Sequence, residues 1–137
     1  MLLTRRYRFP AAHVLSHPDF TPERNREVYG QCANPAGHGH DYGVEVSVTG
    51  PLDPASGRIL DPATLDALFE RRIGARFGHR LLNADPAFAR RVPTAENLAR
   101  VIHDELAPAI AAEGRARLAR VRIVETRRNS FVYGEMP

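Results

Sequence analysis

The sequence predicts an α+β fold, with helices packed on one face of an antiparallel sheet. Three observations carry that prediction: two early segments alternate with period two, two middle segments have helical spacing, and two short alternating segments follow at residues 119–125 and 130–133. The order is therefore strand, strand, helix, helix, strand, strand. No internal repeat or low-complexity stretch interrupts it.

In the first segment Leu3, Arg5, Tyr7 and Phe9 fall on one side, and Thr4, Arg6 and Arg8 on the other. This is the period of a half-buried strand. Pro10 ends the regularity just before Ala11-Ala12-His13. Residues 17–39 are polar and punctuated by Pro18, Pro22, Gly30, Pro35 and Gly37, so they read as a long loop. Loops of that length in a compact domain are usually functional or disordered, and this one carries Cys32 and His38. The second strand sets Tyr42, Val44, Val46 and Val48 against Asp41, Glu45, Ser47 and Thr49.

After Asp61-Pro62, the positions Leu65, Leu68, Phe69 and Ile73 have helical spacing, and Pro62 suits a first turn. Thr94 is a good N-cap for the second helix, with Glu96 favourable to its dipole. Leu98, Val101, Ile102 and Leu106 form that helix's apolar stripe, and Pro108 should kink or end it. Val121 and Ile123 share a face of the third strand, and residues 126–129 make the turn into the fourth. A four-stranded sheet covered on one side keeps two free edges, which predicts oligomerisation through them.

The bulk composition narrows the function classes. With 137 residues and 43% hydrophobic content, the chain has enough apolar side chains for the core of one domain, expected over residues 1–137. No apolar run approaches the roughly 18–20 residues of a membrane span, and the N-terminal residues do not read as a secretory signal. Cys32 is the single cysteine and has no internal disulfide partner, which suits a reducing cytoplasm. The net charge is +3 and the pI about 9.6. However, 19 basic residues, all arginine, face 16 acidic ones without blocks or aromatic interleaving, so nucleic acid is not the expected partner.

His38-Gly39-His40 is the strongest local signal. On an extended backbone, side chains at i and i+2 point to one face, so both imidazoles can reach one metal ion. His13 joins them if the first two strands pair as an antiparallel hairpin. Three imidazoles without a fourth protein ligand form the open pattern of catalytic zinc. His17 is the rival third ligand, and His103, inside the second helix, is expected to be solvated. Cys32 lies in the same loop as His38, where a nearby cation would lower its thiol pKa and make it a general base or nucleophile. His79 follows the first helix and is its candidate partner. Glu125, on the side of Val121 and Ile123, would be oddly buried without a ligand or cation; a salt bridge to Arg127 or Arg128 is the plainer alternative.

These residues resemble the 6-pyruvoyl-tetrahydropterin synthase / 6-carboxytetrahydropterin synthase family over nearly the full length. The resemblance rests on Phe9-Pro10-Ala11-Ala12-His13, on residues 29–42 with Cys32 and His38-Gly39-His40, and on Gly78-His79-Arg80, Thr94-Ala95-Glu96-Asn97 and Val124-Glu125-Thr126. It implies the tunnelling fold, a four-stranded antiparallel sheet with two helices on one face, assembled as a trimeric or hexameric barrel with active sites at subunit interfaces. It further implies 7,8-dihydroneopterin triphosphate as substrate, Zn2+ on His13, His38 and His40, Cys32 as proton-abstracting base, His79 as relay, and Glu125 as a catalytic and pterin-recognising carboxylate. Arg24, Arg26, Arg127 and Arg128 are candidates for the triphosphate.

One residue departs from the family pattern. The family usually has aspartate immediately before the relay histidine, and this chain has Gly78. Asp85 is a possible substitute. The five residues between Cys32 and His38 resemble the longer loop of the 6-pyruvoyl branch, which makes 6-pyruvoyltetrahydropterin synthase activity the preferred reading. The alternatives are a 6-carboxytetrahydropterin synthase of queuosine (deazapurine) biosynthesis and, from another class, a zinc-containing pterin-binding protein with little turnover.

Overall fold

A computed structural model describes residues 1–136; Pro137, the last residue of the expected domain, lies outside the described residues. The sheet has five strands rather than the four expected. They are β1 (Leu3–His13), β2 (His38–Thr49), β3 (Arg80–Leu81), β4 (Arg117–Val124) and β5 (Ser130–Gly134), in the order β3-β1-β2-β4-β5. The pairs β1–β2, β2–β4 and β4–β5 are antiparallel. The added strand, β3, is only two residues long and runs parallel to β1. Its sequence, Arg80-Leu81, is too short for any alternation to show.

β1 continues through Pro10 instead of stopping there. The carbonyl of Pro10 points away from β2 and accepts the His79 N–H at 2.6 Å. A residue's N and C=O point to the same side of an antiparallel strand, so the N–H that proline lacks would also have faced away from β2. No ladder bond to β2 is lost. The strand therefore carries His13 directly opposite His38.

Residues 17–39 are not all loop. Pro22–Tyr29 forms α1, with Thr21 capping it by accepting the Arg24 N–H, and Gly30–Ala33 forms a 3₁₀ turn. This helix escapes the sequence pattern because it carries no apolar stripe; Asn25 is its one buried residue. The first expected helix is composite. α2 (Pro62–Phe69) runs into a π turn at Glu70–Gly74 and then the short α3 (Ala75–Phe77). The long helix is α4 (Ala95–Ala111), capped by Thr94, whose Oγ1 accepts the Asn97 N–H at 3.2 Å. Pro108 sits inside α4, which ends at Ala111 within a turn of it.

α2, α3 and α4 share one core with the alternate sheet positions. Phe9, Tyr42, Val44, Val46, Val48, Val121 and Ile123 pack with Leu65, Phe69, Phe77, Leu98, Ile102 and Leu106. Each fully buried side chain of this kind contributes about 1.5–3 kcal/mol. Arg5 also faces the helices, and its charge is met there. Its guanidinium donates twice to Asp66, at 3.0 and 2.6 Å, and the Tyr7 hydroxyl donates to Asp66 Oδ1 at 2.7 Å while its ring stacks on Phe69. This fastens α2 to β1. Among the described residues no helix is long and apolar enough to cross a membrane.

Candidate metal centre and active site

The register of β1 and β2 builds the centre. His13 faces His38, and Ala11 faces His40, so all three imidazoles stand at one end of the helix-covered sheet face. One nitrogen from each lies within 4.8 Å of the other two, and His13 Nε2 is 2.9 Å from His38 Nε2. The rings stand at steep angles to one another, between 66° and 86°. A tetrahedral zinc ion with Zn–N of about 2.0–2.1 Å needs donors roughly 3.3 Å apart. The observed set brackets that value, so the three residues fit such an ion.

The surroundings set the tautomer and charge of His13. Its Nδ1 lies 2.8 Å from the carbonyl oxygen of Pro93. A carbonyl only accepts, so Nδ1 carries the proton and the Nε2 lone pair faces the cluster. The Tyr42 hydroxyl oxygen is 3.1 Å from the same Nδ1. His13 is completely buried, and burial lowers its pKa to about 4, with a smaller push from His38 and His40 and a contrary one from Pro93. Burial, then His38, also lowers the pKa of His40. Both rings are neutral near pH 7, as metal ligation requires.

Glu125, just past β4, turns to the same centre and not to Arg127 or Arg128. Its Oε1 lies 4.0 Å from His13 Nε2 and 3.8 Å from His40 Nε2. Its side chain is only 15% exposed. Burial raises its pKa, and the neighbouring Glu96 raises it further. The influence of Glu96 on Glu125 has no signal in the pattern, because its place in the first turn of α4 is already explained by the helix dipole. Tyr42 is another: its hydroxyl pKa is raised by burial, and less by the charges of Glu125 and Cys32.

Cys32 lies in the 3₁₀ turn that the Leu15 N–H fastens by donating to the Cys32 carbonyl at 2.8 Å. It lines a cavity of about 570 Å³ with Gln31, Asn34, Gly37 and His38. His79 is elsewhere. It follows α3 with a backbone φ of +59°, unusual for a non-glycine residue, and lines a separate cavity of about 540 Å³ with Pro10, Ala12, Gly39, Asp41 and Leu81. Among the described residues no hydrogen bond joins Cys32 to His79, so one chain does not assemble the expected pair.

Further expectations are settled by other contacts. Asp85 is not free to replace the missing aspartate, because Arg76 holds it through Nε at 2.8 Å and Nη2 at 2.7 Å. His17 stays outside the cluster, accepting the Asp19 N–H and stacking on Phe20. His103 is half-buried against the edge of Tyr133 rather than solvated. Of the arginines considered for an anion, Arg24 pairs with Glu27, and Arg26 borders a cavity of about 730 Å³ with Asn25, Gln31 and Asn34. Arg127 lines a different one on the outer side of the sheet, beside Arg6 and Arg8.

Fold and cluster together define an α+β sheet protein with an open three-histidine site able to hold a metal ion. The 6-pyruvoyl tetrahydropterin synthase family model matches residues 2–136. The 6-pyruvoyl tetrahydrobiopterin synthase of Poecilia reticulata is 42% identical over 132 residues, covering 96% of this chain and 88% of that protein. That of Homo sapiens is 38% identical, covering 96% and 89%. The solved 6-pyruvoyl tetrahydropterin synthase of Caenorhabditis elegans superposes with a TM-score of 0.90 at 32% identity, covering 99% of this chain and 96% of the other. The chain belongs to the 6-pyruvoyl tetrahydropterin synthase family.

Proposed function

We propose that this chain is a zinc-dependent lyase that eliminates triphosphate from 7,8-dihydroneopterin triphosphate and rearranges the side chain, as a 6-pyruvoyltetrahydropterin synthase does. The observation that carries the reading is the convergence of three imidazoles on a point that Glu125 also faces. His13, His38 and His40 would hold the zinc. When bound, zinc polarises a side-chain oxygen of the substrate and acidifies the adjoining C–H. Cys32, as thiolate, takes that proton, and His79 passes protons onward. Glu125 accepts paired hydrogen bonds from the ring N–H and amino group of the pterin. These donors relieve the cost of a half-buried carboxylate, and Glu96 beside it strengthens the preference for a donor-rich edge.

Cys32 and His79 line different cavities of one chain. The proton relay therefore closes between neighbouring copies, in a homo-oligomeric barrel of three or six chains working in the cytoplasm. The names of the relatives favour the 6-pyruvoyl product over the 6-carboxy one. The deciding experiment incubates zinc-loaded protein with dihydroneopterin triphosphate and identifies products by mass. Released triphosphate with the three-carbon chain retained supports the reading. Acetaldehyde with a carboxypterin moves it to the other branch, and unchanged substrate overturns it.

A further inference from the structure

A relay histidine works best when a carboxylate fixes its tautomer and stabilises its cation. His79 gets no carboxylate from the residue before it, and the backbone leaves no room for one. A Cβ placed on Gly78 would lie 2.6 Å from the carbonyl oxygen of Gly74. That contact is fixed by the π turn, since the Gly78 N–H donates to the same oxygen at 2.9 Å. Asp85, the next carboxylate along the chain, is held through both of its oxygens by the Nε–Nη2 edge of Arg76. Within one chain, the remaining candidates lie across the sheet.

Asp41 is the carboxylate placed across the sheet from His79, although it is turned to Arg8 here and, among the described residues, no hydrogen bond joins it to His79. It pairs with Pro10 across the β1–β2 ladder, and the carbonyl of Pro10 on its other side accepts the His79 N–H. Asp41 and His79 therefore flank Pro10, two strand spacings or about 10 Å apart along the sheet. Both line the cavity shared with Pro10, Ala12 and Gly39. Asp41 is exposed, and only its Oδ2 is engaged, by Arg8 Nη1 at 3.1 Å; among the described residues Oδ1 accepts nothing. His79 is also exposed, and its backbone is left-handed.

We propose that Asp41 is the positioning carboxylate of His79, reaching across Pro10 to replace the acid that Gly78 excludes. This rests on the synthase reading, in which His79 is the relay. Asp41 acts through His79 and does not touch substrate.

The test compares zinc-loaded wild-type protein with Asp41→Asn, which keeps the size and an acceptor for Arg8. The kcat for dihydroneopterin triphosphate falls about 10- to 100-fold, while KM and zinc stoichiometry stay unchanged. In ¹⁵N–¹H spectra the His79 ring loses its preference for one tautomer. Asp41→Ser, read in the same way, serves if the asparagine variant misfolds. Unchanged kcat overturns the proposal, and so does a fall in kcat with an unaltered His79 ring. Loss of zinc also overturns it, because Asp41 would then be acting through His40. If wild-type protein shows no turnover, the synthase reading fails by itself, and the His79 spectrum alone decides whether Asp41 sets the ring.

Discussion

His13 and Pro93 are 80 residues apart in sequence, and the Nδ1 of one lies 2.8 Å from the carbonyl oxygen of the other. This contact joins the sheet to the segment that leads into α4, and it fixes which nitrogen of His13 faces His38 and His40. Partners of this kind typically change metal affinity 10- to 100-fold. The site is therefore a product of the α4 entry as well as of the β1–β2 hairpin.

Thr94 caps α4 directly after Pro93, so its loss should be felt at the metal. Thr94→Ala is expected to cost about 1 kcal/mol of stability and to weaken zinc binding by about tenfold or less. Urea denaturation measures the first, and competition with a chromogenic chelator the second.

The buried His13 gives the metal-free protein a defined pH response. Its folded pKa is depressed to about 4 from an ordinary value near 6.5. Between those values the unfolded chain binds the proton and the folded one does not. Stability is thus fully present above about pH 6.5 and is lost as pH falls towards about 4, by on the order of 3 kcal/mol. Denaturation of chelator-treated protein at pH 7 and pH 4.5 checks this. His13→Gln should flatten the dependence.

Gly78→Asp restores the usual family residue but not its setting. The new Cβ would meet the Gly74 carbonyl oxygen at 2.6 Å. The variant is expected to lose about 1–3 kcal/mol and to gain no turnover. Gly78→Ala should be destabilised similarly, which separates the steric effect from the charge. Thermal melts and initial rates on both variants decide the matter.

Cys32→Ala tests the proposed base. Zinc content should be unchanged, because Cys32 is not among the three converging histidines, while kcat should fall by about 100-fold or more. Retained turnover would remove Cys32 from the mechanism.

The strands that hold the site were legible because they alternate cleanly: Tyr42, Val44, Val46 and Val48 are all buried. His38-Gly39-His40 was legible because i and i+2 share a face of any strand. Other features had no local signature. β3 is two residues long, and α1 shows no apolar stripe to mark it. Pro10 looked like a strand end because its tolerance depends on which neighbour its missing N–H would face. The roles of Pro93 and Tyr42 are long-range contacts to His13, and no periodicity encodes them. Glu96 was visible but had a sufficient local explanation. Gly78 was legible as a departure, yet only the π turn explains why no side chain fits there.

The most direct test of the three-histidine centre is zinc X-ray absorption on the loaded protein. One zinc per chain is expected, with three imidazole nitrogens at about 2.0 Å and one light oxygen donor, and that signal should be lost in His38→Ala. Absence of stoichiometric zinc, or a sulfur in the coordination shell, would contradict it.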